Sequence, residues 1–190
     1  MEKINALIEK RWSPRAFDEK PVPAQILKRV FEAARRAPSA NNEQPWRFLL
    51  GIKGQNGAYD KLFSSLNEFN QKWAVHAPVV VVVLAKTESE KNGKFNTHAV
   101  YDCGQAVAYL TFQATEEGLY IHQMAGFFPD KVKELFSLPE GYLPVTAFVL
   151  GYLGKPDILP ENYRNMEYKK DIRKPLDELV FTSWSEPAGL

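Results

Sequence analysis

The chain has little of what the commoner catalytic frameworks require. Its single cysteine, Cys103, excludes an intramolecular disulfide framework, and Cys103 opens an apolar helical pattern, where a small packing residue is expected rather than a nucleophile. The three histidines, His76, His98 and His122, stand apart from one another, and neither an H-E-x-x-H nor a C-x-x-C pattern occurs, which removes the usual signatures of a zinc site. A G-x-S-x-G elbow is absent, as are the glycine-rich turns that cradle nucleotide phosphates, so any bound nucleotide must be held by side chains. Charge of one sign is also missing. Lys and Arg number 24 against 23 Asp and Glu, and a net charge of +1 offers no general field to nucleic acid or an anionic membrane. The longest apolar run, Ala77 to Ala85, falls far short of the ~20 residues of a membrane-spanning helix. Glu2, Lys3, Glu9 and Lys10 lie where a secretion signal would be apolar, so the expected address is the cytoplasm.

What is there is enough apolar residue, 45% of 190, for one well-buried core, and a single domain over residues 1–190 is the default. Ile4, Leu7 and Ile8 repeat at helical spacing up to Arg11, and Pro23 opens a second helix through Leu27, Val30 and Ala34, stopped by Pro38. Phe48–Ile52 reads as a strand, and residues 58–73 as a mixed helical pattern with Leu62, Phe63, Leu66 and Phe69 inward. The block Val79–Leu84 predicts a strand covered on both faces. Residues 86–96 are a polar surface loop, and Asp102–Gly118 a long helix apolar on several sides, with Asp102 as its cap. That all-round helix calls for cover by a second subunit. Pro129 starts a short helix, Val145–Leu150 forms a further strand, and Leu179–Thr182 is strand-like within a proline- and charge-rich tail from Lys155, which is expected to wrap a partner subunit. Thus helices flank a sheet.

Two segments carry the chemistry. In Arg11-Trp12-Ser13-Pro14-Arg15-Ala16-Phe17 two guanidinium groups and a hydroxyl can converge from one constrained loop on an anionic group. In Ala37-Pro38-Ser39-Ala40-Asn41-Asn42-Glu43-Gln44-Pro45-Trp46 short polar side chains can line a flat polar ring. With Trp73 ahead of Ala77-Pro78-Val79, Asp102-Cys103-Gly104-Gln105-Ala106, Met124-Ala125-Gly126-Phe127, Gly151-Tyr152 and Arg173-Lys174-Pro175-Leu176 in the same order, the chain resembles the flavin-dependent nitroreductase family over nearly its whole length.

That resemblance implies an α+β, three-layer sandwich: a central, mostly antiparallel sheet flanked by helices, with the C-terminal strand exchanged in a homodimer and an extension of about 155–190 wrapping the partner. It implies FMN at the subunit interface. Carried over by position, Arg11, Ser13 and Arg15 would hold the phosphate and ribityl chain, Trp12 would contribute through its backbone, and Arg173 would close on the phosphate. Pro38, Ser39 and Asn42 would come from the other subunit, with Asn41 as the alternative to Asn42, and Met124, Ala125 and Gly126 would bring backbone amides to flavin N5 and O4. Many relatives place an asparagine and a lysine three apart to meet the flavin pyrimidine; this chain has Asn67, Asn70 and Lys72 there. Asn70 and Lys72 are two apart and cannot share a helical face, so Asn70 is favoured, with Lys72 next. The implied activity is hydride transfer from NADH or NADPH, by a ping-pong mechanism through flavin N5, to small planar acceptors such as nitroaromatics or quinones. No side chain is needed as general acid or base. The alternative is a protein that stores or senses FMN with little turnover.

Overall fold

The computed structural model describes residues 3–55, 57–168 and 172–190. Four strands, β1 (Trp46–Ile52), β2 (Val79–Lys86), β3 (Tyr120–Met124) and β4 (Tyr142–Gly151), form one sheet in the order β1-β2-β4-β3, every neighbouring pair antiparallel. β2 lies inside the sheet and is apolar along its length because both its faces are covered. Val79, Val81, Val83 and Ala85 face α2 (Ala24–Arg35) and α5 (Ala99–Glu116), packing with Leu27, Val30, Ala106 and Leu110. Val80, Val82 and Leu84 face the opposite layer, which holds α3 (Ala58–Ser64), α4 (Glu68–Ala74) and α6 (Pro129–Phe136) and contributes Leu62, Trp73 and Val132. Helices, sheet and helices make three layers, the expected α+β sandwich. Pro144 is tolerated within β4 because it sits where the register against β2 slips, between Val83 and Leu84.

The mixed helical pattern of residues 58–73 resolves into two helices, α3 and α4. Ser65–Asn67 leave the helix to pair with the chain after β3: Phe128 N donates to Ser65 O at 2.8 Å and Asn67 N to Gly126 O at 3.0 Å. Asn67 then caps α4, its Oδ1 accepting from Asn70 N at 2.9 Å. Phe69, expected inward, is 46% exposed on the far side of this break. α5 begins a turn earlier than expected, at Ala99, so Asp102 lies inside the helix and does not cap it. Leu179–Thr182 narrows to β5 (Phe181–Ser183), which pairs with β6 (Glu186–Pro187) of its own chain in a hairpin apart from the main sheet. Among the described residues no helix is long and apolar enough to cross a membrane.

Candidate functional site

α1 (Ala6–Lys10) ends at Arg11, whose extended backbone releases the chain into the arginine loop. Arg11 Nη1 lies 3.4 Å from Ser13 Oγ, and the Trp12 ring meets Tyr120 edge-on. The far end of the loop is stitched to the chain after β4: Asp18 N donates to Tyr152 O and Gly154 N to Ala16 O, at 2.9 and 2.8 Å. Gly154 is needed there, since a Cβ would come within 2.6 Å of the Phe17 carbonyl carbon. Between these ends, His122 on β3 donates from Nδ1 to Pro14 O at 2.8 Å, and its ring lies 4.4 Å from that of Trp73. Burial, with the nearby Arg15 charge, lowers the His122 pKa from 6.5 to about 4. The ring is therefore neutral at ordinary pH. Arg15 N and Ala16 N donate to the carboxylate of Glu167, at 2.7 and 2.9 Å, and Arg15 Nη1 to Met166 O at 3.3 Å. Arg15 Nε and Trp73 Nε1 are buried without a hydrogen-bond partner among the described residues. The Arg15 guanidinium sits 6.0 Å from the centre of a Trp73 ring.

The same sheet edge carries a second polar group. β3 ends at Met124, which is buried, with its carbonyl accepting from Thr146 Oγ1 at 3.2 Å; Ala125 is exposed. Gly126 O accepts from Asn67 N and from Asn70 Nδ2, at 3.0 and 2.9 Å. A Cβ on Gly126 would stand 2.4 Å from Asn67 Nδ2 and 2.6 Å from Asn70 Nδ2, so two carboxamides are packed onto the backbone where only glycine leaves room. Asn70 is buried, whereas Lys72 points outward from α4 and is exposed. Asn67, seen in the sequence but given no role, thus joins Asn70 and the Gly126 backbone as the third polar element of this corner. Its signal was its place as a helix cap three residues before Asn70.

The loop from Pro38 to Gln44 lies elsewhere. Asn41, Asn42 and Gln44 take left-handed backbone (φ 52°, 57° and 48°), which asparagine accepts more readily than most residues. Ser39 Oγ accepts from Gln44 N at 3.0 Å, Asp102 Oδ2 accepts from Ala40 N at 3.1 Å, and Lys91 Nζ donates to Asn41 O. Asp102 is an anchor for this loop, a role hidden by its position one turn into a helix. Pro38 and Asn42 are exposed. The loop leads into β1, while Gly126 follows β3, and these are opposite edge strands. Three inter-strand spacings, about 14 Å at least, separate the two edges. One chain therefore does not bring Pro38, Ser39 and Asn42 to Arg11, Ser13, Arg15, Asn70 and Gly126. Arg173 lies in the exposed tail, where its Nη1 donates to Ile172 O at 2.8 Å.

Chemically, the β3 edge can bind an anion through two guanidinium groups and a hydroxyl, and a polar ring edge through carboxamides and backbone. It has no ready nucleophile: Cys103 is buried in the other layer, its thiol pushed up to about 12 by desolvation. Among the described residues no cluster of His, Cys, Asp and Glu could hold a metal ion.

Comparison with known proteins agrees with this arrangement. The profile of the Nitroreductase family matches residues 8–152. A Mycolicibacterium smegmatis protein named as an uncharacterized 15.4 kDa protein in the ask 5' region is 31% identical over 149 residues, covering 74% of this chain and 99% of its own length. The NADH dehydrogenase of Thermus thermophilus is 28% identical over 174 residues, covering 75% of this chain and 83% of that protein. The crystal structure of an oxidoreductase containing FMN shares the fold with a TM-score of 0.90 at 34% identity, over 95% of this chain and 92% of that one.

Proposed function

Because this chain belongs to the nitroreductase family and is an oxidoreductase, we propose that it binds FMN and uses NADH or NADPH to reduce small planar acceptors, nitroaromatics or quinones among them. The observation that carries this reading is the convergence on one sheet edge of the arginine loop, Trp73 and the carboxamide-lined Gly126 corner. The residues fit the cofactor. A buried Arg15 Nε without an acceptor suits an added anion, and the absence of a side chain at Gly126 lets the Asn67 and Asn70 carboxamides pack against its backbone as polar groups for a ring edge. Arg11, Ser13 and Arg15 would hold the phosphate and ribityl chain, with Trp12 lending backbone and Arg173 folding in from the tail. Asn70, with Asn67 beside it, would meet the ring, Met124, Ala125 and Gly126 would present the backbone, and Lys72 is the outlying candidate.

When bound, FMN supplies the capacity to accept a hydride at N5 and pass it on. The protein's part is to fix the ring and its phosphate and to leave one face for the dinucleotide and then the acceptor, each oriented by stacking on that face. Neutral His122 keeps a cation off the loop's inner side and holds the Pro14 carbonyl; no proton transfer is asked of it.

Two copies are part of the proposal. Pro38, Ser39 and Asn42 would come from the second copy, because one chain holds them at the far edge of the sheet. Val100, Tyr101 and Tyr109 on α5, with Ile4 and Ile8 near α1, are large apolar residues left 45–67% exposed in one chain, and the tail adds Leu176, Leu179 and Trp184. A homodimer that buries the α5 face and receives the tail hairpin accounts for all of them.

The test is an anaerobic absorbance spectrum of the protein with FMN, taken before and after NADH, then NADPH, then a nitroaromatic or quinone. Bleaching by a nucleotide and recovery with the acceptor are expected. Bound flavin that neither nucleotide reduces would turn the reading to FMN storage or sensing, and no bound flavin would remove the site.

A further inference from the structure

We propose that Glu167 is a positioning residue for the arginine loop, clamping the Arg15–Ala16 backbone through both carboxylate oxygens so that the Arg15 side chain is aimed at the cofactor's phosphate. The inference rests on the FMN reading above. Glu167 lies beyond residues 8–152, the part of the chain that the family profile matches, and far from the loop in sequence. It is 2% exposed, with Oε2 2.7 Å from Arg15 N and Oε1 2.9 Å from Ala16 N. A buried carboxylate is costly unless its oxygens are satisfied, and an ionised one can only accept. Two consecutive backbone amides supply what it needs, and they do so only while the loop keeps this conformation.

The bonds fall on one peptide plane. Pro14 O and Arg15 N belong to the same peptide unit; His122 Nδ1 donates to its oxygen at 2.8 Å and Glu167 accepts from its nitrogen at 2.7 Å. A planar group held at both ends cannot rotate, which fixes the direction in which Arg15 leaves the backbone. Met166 O, next in sequence to Glu167, takes Arg15 Nη1 at 3.3 Å and so restrains the far end of the same side chain. Because Glu167 occupies the amides of residues 15 and 16, those two amides are withheld from an incoming phosphate, which is left to the side chains of Arg11, Ser13 and Arg15 and the backbone of Trp12. At this end of the loop the clamp therefore leaves the Arg15 side chain, not the amides of residues 15 and 16, to meet the anion.

The test compares FMN with riboflavin, which lacks the phosphate, by titration into wild type, E167Q, R15A and the double variant, alongside hydrogen exchange at the amides of residues 15 and 16. In E167Q one oxygen becomes an NH₂ group facing a backbone N–H, donor against donor. FMN affinity should fall about ten-fold or more, the worth of a charge-assisted contact, with riboflavin affinity unchanged and exchange at the two amides faster. R15A should show the same selectivity, and adding E167Q to it should cost FMN nothing further, since Glu167 acts through Arg15. Unchanged or tighter FMN binding in E167Q overturns the assignment, as do equal losses for both flavins or additive losses with R15A. Wild type that binds neither flavin overturns the cofactor reading and the assignment together, and wild-type binding tells that failure from a failure of the clamp alone. If E167Q does not fold, E167D, which keeps both oxygens on a shorter arm, serves the same comparison, with a smaller FMN-selective loss expected.

Discussion

His122 shows how much of the loop depends on one uncharged ring. Its folded pKa is about 4, below the 6.5 of an exposed histidine, because protonation would put a charge into a buried site beside Arg15. The unfolded chain takes up a proton below pH ~6.5 and the folded chain does not until pH ~4, so stability is full above pH 6.5 and is lost as pH falls through that window. The loss is about 3 kcal/mol at most, from the usual value of a pKa unit. H122Q should lower stability at neutral pH, by removing the packing on Trp73, and flatten this part of the profile. Thermal melts of both proteins from pH 7.5 to 4 check it; an equally steep fall in H122Q would assign the titration to another group.

At the scale of elements, the corner where β3 ends and α4 begins has the least slack. A Cβ placed on Gly126 would stand 2.4 and 2.6 Å from two carboxamide nitrogens, on side chains that themselves bond the Gly126 carbonyl or cap α4. G126A should cost about 1–3 kcal/mol, as overpacking does, and should weaken FMN binding as the carboxamides move. An unchanged melting temperature in the cofactor-free protein would show that Asn67 and Asn70 swing away freely.

This corner also marks where sequence reading stopped. Val79–Leu84 announces a two-faced strand because β-branched residues without polar alternation fit nothing else so well, and the backbone role of Met124–Gly126 is implied by the family resemblance. The break at Ser65–Asn67 is not announced, because Leu62, Phe63 and Leu66 continue a helical period and the pairing that overrides it comes from Gly126–Phe128, far along the chain. Glu167 was invisible for the same reason: nothing local distinguishes a clamp from another surface acid in a charged tail. Asp102 looked like a cap, and its true partner, Ala40 N, is likewise non-local.

For the whole molecule, the two-copy reading turns on the outer face of α5. Gly104 is exposed there, and a Cβ added to it would meet nothing within 4 Å, so a single folded chain tolerates any residue at this position. Glycine inside a helix costs about 1 kcal/mol relative to better helix formers, which its place against a second copy would explain. On the two-copy reading, G104R should leave the fold intact or slightly more stable, yet reduce the mass seen by light scattering from the twice 21.6 kDa expected of a dimer to one chain, with loss of flavin. A dimer that survives G104R would move the interface off α5.

The placement of the arginine loop and the Pro38–Asn42 loop on opposite edges of one sheet has a consequence for inheritance. On the two-copy reading, each site draws one loop from each chain. A chain with a ruined arginine loop and a chain with a ruined Pro38–Asn42 loop would each be inactive alone. Paired, they would concentrate both defects in one site and leave the other whole, so two null alleles could complement each other within a single cell.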